Sequence, residues 1–149
     1  MTRPLGEKQL DVATGRRILC PRMESPENMA RRILVVDDEP MVCDAILRIL
    51  ELDKHSVKTA ASAQEALTVF EAGKFDLIII DYEMPLMKGD KLAAAIKAQA
   101  PKQPIIMVTA YGESLRAAGD FPLAVDLVIN KPFGVKEFRE AVSKVAARG

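Results

Sequence analysis

Phe75–Met87, read FDLIIIDYEMPLM, decides the fold. Leu77-Ile78-Ile79-Ile80 is an unbroken run of large apolar side chains, which suits a strand buried on both faces of a parallel sheet. Asp81 ends the run. A carboxylate there cannot remain unpaired in a core, so it is expected at the C-terminal edge of the sheet, where open α/β folds bind ligands. Met84-Pro85 then turns the chain away. Alone, Asp81 would merely begin a loop; its significance depends on what the other strands carry at their ends.

Towards the N-terminus, Ile33–Val36 reads as a short buried strand running into Asp37-Asp38-Glu39, and Pro40 opens a helix where its missing N–H costs nothing. Val42, Ile46, Ile49 and Leu50 give that helix one apolar face, with Cys43 a small apolar neighbour. Ser56–Thr59 is a second strand. Ser62-Ala63-Gln64-Glu65 forms a capping box for a helix with Ala63, Ala66, Leu67 and Phe70 as its buried stripe and Gly73 as its stop. His55, the single histidine, reads as a solvated loop residue without chemistry.

Towards the C-terminus, Leu92, Ala95 and Ile96 mark a helix that must end before Pro101, and Pro104–Val108 is a buried strand closed by Thr109-Ala110. Gly119 and Pro122 allow only a short or distorted helix between Gly112 and Ala124. Val125–Ile129 is the fifth strand, followed by Asn130-Lys131-Pro132-Phe133. Phe138, Val142 and Val145 set the face of a last helix, with Gly134 as its N-cap. Five alternations of strand and helix predict an α/β fold: a five-stranded parallel sheet with right-handed crossovers and helices on both faces.

The chain of 149 residues is 49% apolar, enough for one sizeable core. Its 21 basic and 21 acidic residues cancel, so bulk charge favours neither nucleic acid nor an anionic membrane as a partner. Residues 1–30, with Pro4, Gly6, Gly15, Pro21 and Pro26, have linker composition and are expected as a flexible leader before a domain spanning 31–149. Cys20 and Cys43 form no metal or disulfide framework, and no apolar run reaches membrane-span length, so the expected compartment is the cytoplasm.

In a parallel sheet, all strand ends of one polarity share an edge. Asp37, Asp38, Asp81, Thr109 and Lys131 therefore become neighbours: carboxylates, a hydroxyl and an ammonium, a poor set for packing and a good one for phosphate and a hard cation, Mg²⁺ or Mn²⁺. Lys131 can hold phosphoryl oxygens, Thr109 can donate to them, and one carboxylate can act as nucleophile.

These segments, Ile33–Pro40, Asp81–Gly89, Thr109-Ala110 and Lys131-Pro132-Phe133, resemble the receiver domain of two-component response regulators over 31–149. The resemblance implies a flavodoxin-like sheet of strand order 2-1-3-4-5. It also implies Asp81 as phosphoacceptor and a metal held by Asp37 (through water), Asp38, Asp81 and the Glu83 backbone carbonyl. Thr109 and Lys131 would grip the phosphoryl group, and the Lys131-Pro132 peptide would be cis. A histidine kinase or a histidine phosphotransfer protein would be the phosphodonor. A downstream protein would dock on the face formed by residues 112–147, the receiver being a monomer or a phosphorylation-dependent dimer. The chain's end after the last helix suggests a free-standing receiver without an output domain, a regulator rather than an enzyme. Val128 stands where the family usually has an aromatic switch residue, and Glu83 and Tyr111 border the expected path of hydrolytic water. Two alternatives remain at this stage. A haloacid-dehalogenase-type phosphohydrolase would want a DxD after its first strand, where this chain has adjacent Asp37-Asp38. An interaction module with a relict site would not need the set intact.

Overall fold

The computed structural model describes residues 30–117, 119 and 124–146. All of the expected leader except Ala30 lies outside them. Five strands, β1 (Arg32–Val36), β2 (Ser56–Ala60), β3 (Leu77–Asp81), β4 (Ile105–Thr109) and β5 (Leu127–Asn130), alternate with five helices: α1 (Pro40–Leu52), α2 (Ala63–Val69), α3 (Gly89–Gln99), α4 (Gly112–Ala117) and α5 (Val135–Ala146). All pairings are parallel and the order is β2-β1-β3-β4-β5, as the resemblance implies.

Side chains alternate across a strand, so each central strand feeds two cores. Leu34, Val36, Ile78 and Ile80 pack with Ala63, Ala66, Leu92 and Ile96 of α2 and α3. Ile33, Val35, Leu77 and Ile79 pack with Ile46 and Leu50 of α1 and Phe138, Val142 and Val145 of α5. β3 and β4 are buried at every position, which is why they read as continuous apolar runs.

Four local readings change. β5 was expected over Val125–Ile129 and runs instead from Leu127. The Asp126 N–H donates to the Ile105 carbonyl at 2.8 Å, while its carboxylate accepts from the Ile105 N–H at 2.8 Å and from Lys97 Nζ at 3.3 Å, so Asp126 fastens the strand entry rather than pairing within the strand. α2 ends at Val69. Phe70 turns extended yet keeps its side chain buried, and Gly73, at φ +83, serves the following turn rather than the helix end. The α2 cap is half reciprocal: the Glu65 N–H donates to Ser62 Oγ at 3.0 Å, but the Glu65 carboxylate accepts from Ala61 N–H, one residue before the N-cap. His55 is half-buried, and its Nδ1 accepts the Arg31 N–H at 2.9 Å beside the start of β1. Burial pushes its pKa down, with Arg31 adding to the shift and Asp53 opposing it.

Candidate functional site

The parallel register puts the carboxyl ends of the strands side by side. Val36 pairs with Ile80, Asp81 with Val108, and Thr109 with Asn130. Asp37 follows β1 directly, Asp81 and Thr109 are the last residues of β3 and β4, and Lys131 follows β5.

Three of these strand-end side chains accept the amide two residues downstream, a turn that frees the chain to leave the sheet. Asp37 Oδ1 takes the Glu39 N–H at 2.8 Å, Asp81 Oδ1 the Glu83 N–H at 3.3 Å, and Thr109 Oγ1 the Tyr111 N–H at 3.0 Å. Asp37, Asp81 and Thr109 are almost wholly buried. One carboxylate oxygen from each of Asp37, Asp38 and Asp81 lies within 4.8 Å of the others. Asp37 Oδ2 and Asp38 Oδ1 are buried and meet no hydrogen-bond partner among the described residues. Lys131 Nζ donates to Asp81 Oδ1 at 3.0 Å, and its peptide bond to Pro132 is cis.

Burial raises the Asp37 carboxyl to about 6; the charges of Asp81 and Asp38 push the same way, while the Glu39 N–H and Lys131 oppose it. Burial also raises Asp81, against the pull of Lys131 and the Glu83 N–H. Burial alone would lower Lys131, but its hydrogen bond and attraction to Asp81, with Asp37 and Glu83 behind, leave it raised. The lysine therefore stays charged although its carboxylate partner is buried. Crowded carboxylates with orphaned oxygens fit a hard divalent cation, which takes oxygen ligands and relieves their repulsion.

Thr109 has a partner the sequence did not suggest. Its hydroxyl donates to a carboxylate oxygen of the Glu83 side chain, and the Ala110 N–H reaches the other, Oε1, at 3.4 Å. The resemblance implies the Glu83 carbonyl as a metal ligand and sets its side chain beside the path of hydrolytic water; that this side chain would reach Thr109 and Ala110 at the end of β4 was not expected. Val128 is half-buried beside Met107, an aliphatic side chain at the position where the family's aromatic is expected.

A family model described as the response regulator receiver domain matches residues 33–143. The response regulator TrrA of Thermotoga maritima, solved in complex with Mg²⁺ and beryllofluoride, is 36% identical; the match covers 78% of this chain and 99% of that one with a TM-score of 0.70. A receiver domain protein from Clostridium thermocellum is 29% identical, covering 80% and 96%, with a TM-score of 0.73. The alkaline phosphatase synthesis transcriptional regulatory protein PhoP of Bacillus subtilis is 32% identical over 120 residues, 80% of this chain but 50% of that protein. The chain thus spans about half the length of the curated relatives it matches. Sheet order, strand-end chemistry and these likenesses agree, and the chain belongs to the receiver domains of two-component response regulators.

Proposed function

We propose that this receiver is a phosphorylation switch with Asp81 as the phosphoacceptor. The observation that carries the reading is Lys131 Nζ on Asp81 Oδ1 at 3.0 Å, beside the orphaned oxygens of Asp37 and Asp38. Lys131 would hold a phosphoryl oxygen as a compact positive charge. Asp37, Asp38 and Asp81, with the Glu83 carbonyl, would hold Mg²⁺ (or Mn²⁺), which when bound supplies charge neutralisation at the phosphoryl oxygens.

The transfer forms a bond between an Asp81 carboxylate oxygen and phosphorus as the donor's P–N bond in phosphohistidine breaks. The imidazole leaves with the electron pair. With acetyl phosphate as donor, the bond that breaks is P–O and acetate leaves. The donor partner is a histidine kinase or a histidine phosphotransfer protein, and the face of residues 112–147 (α4, β5 and α5) is the surface for a downstream protein. That surface is described except at 118, 120–123 and 147. The proposed compartment is the cytoplasm; no helix among the described residues is long and apolar enough to cross a membrane. The proposal is confined to the receiver, since the matched relatives run to about twice its length.

Incubation with acetyl phosphate and Mg²⁺ is expected to add one phosphoryl mass to the intact protein at neutral pH. Asp81→Asn or a chelator should abolish it. A phosphoryl increment that survives Asp81→Asn would refute the assignment.

A further inference from the structure

Glu83 makes a contact that the phosphoacceptor reading does not require. The Thr109 hydroxyl donates to one of its carboxylate oxygens and the Ala110 N–H approaches the other at 3.4 Å, while its own N–H is spent on Asp81 Oδ1. A planar anion with two oxygens thus fills the donors at the end of β4, next to the nucleophile. A phosphoryl group on Asp81 is also an anion, and it needs donors from the same strand end. A threonine hydroxyl has one proton to donate and cannot serve both. Two anions at one seat also repel at low local dielectric.

We infer that the Glu83 carboxylate is a built-in competitor for the phosphoryl seat. It occupies Thr109 and Ala110 in the unphosphorylated receiver and must leave before those donors can turn to the phosphoryl oxygens. Departure frees the loop after β4 from the β3–α3 loop, to which Glu83 ties it across 26 residues of sequence. The switch would then be the release of a carboxylate latch, in a chain that has Val128 where an aromatic rotamer would otherwise report. The inference rests on Asp81 as phosphoacceptor.

The test is ¹⁹F NMR titration of beryllofluoride, a phosphoryl mimic, into the protein at saturating Mg²⁺, for wild type, Asp81→Asn, Glu83→Ala and Glu83→Gln. Amide spectra of the metal-free proteins are recorded alongside. Glu83→Ala is expected to bind the mimic about tenfold more tightly, since a charge-assisted hydrogen bond no longer has to be broken first. Glu83→Gln, which keeps an acceptor without the charge, should fall between. The Ala110 and Tyr111 amide resonances should move in both variants before any ligand is added. Equal or weaker binding in both Glu83 variants, or an Ala110 amide indifferent to them, overturns the latch. If wild type binds and Asp81→Asn does not while the Glu83 variants match wild type, only the latch falls. If wild type fails to bind, or Asp81→Asn binds as well, the phosphoacceptor reading and the latch fall together.

Discussion

Beside Asp81 the backbone makes an approach that tolerates no side chain. Gly89 begins α3 against the end of β3, and its N–H donates to the Tyr82 carbonyl at 3.1 Å. A Cβ there would lie 2.6 Å from the Asp81 carbonyl oxygen and 2.8 Å from Tyr82 Cα, both backbone atoms that cannot rotate away. Gly89→Ala is therefore expected to cost about 1–3 kcal/mol, the range for overpacking. It should also slow phosphorylation by displacing Asp81, the proposed phosphoacceptor; urea unfolding and the acetyl phosphate assay check the two effects. At this scale the sequence was legible where residue type and strand position agreed. That Asp37, Asp38, Asp81 and Lys131 would lie together was readable from their combination, because each follows or ends a strand of one parallel sheet, although each alone has the ordinary use of capping a turn or starting a loop. Glu83 was less so, because a carboxylate in a polar loop is ordinary until its partner Thr109 is seen.

Helix α2 shows what one cap can decide. It has seven residues, too few to be stable by propensity, and Ser62 Oγ receives the Glu65 N–H at its start. Ser62→Ala is expected to destabilise the domain by about 1 kcal/mol, read as a lower urea midpoint at unchanged slope. An unchanged midpoint would show that Ala63 and Ala66, packed against the sheet, hold the helix alone. Elements were legible through periodicity: the apolar runs of β1, β3 and β4 and the Phe138, Val142, Val145 face of α5 are buried as read, while the edge strands β2 and β5 are only partly so. Boundaries were not. Phe70 is buried without being helical, and Asp126 lies in the expected strand yet spends its side chain on Ile105 and Lys97. Local pattern reports burial, and burial alone does not say which backbone conformation supplies it.

For the molecule as a whole, His55 is expected to lower stability on the acid side of neutrality. Its folded pKa is lowered, so the unfolded chain takes up the proton more readily; the histidine's contribution is full above about 6.5 and is lost as pH falls through the folded value. Protonation also removes the lone pair that accepts the Arg31 N–H. Asp37, raised to about 6, acts with the opposite sign, gaining stability as it protonates, so the total profile alone is ambiguous. A comparison with His55→Asn cancels Asp37 and keeps an acceptor that does not titrate. Wild type is expected to lose stability relative to His55→Asn between pH 7.5 and pH 5, measured by denaturant unfolding in parallel, whereas a constant difference would mean His55 does not titrate there. By itself the sequence determined the alternation of strands and helices, the two-faced burial of β3 and β4, and the kinds of group closing each strand, because these follow from periodicity and the cost of burying charge. Only the tertiary structure decided that His55 is half-buried, that β5 starts after Asp126, and that the Glu83 carboxylate sits on the Thr109 hydroxyl. Each of those depends on a partner far away in the chain, and no local pattern carries the position of a distant donor.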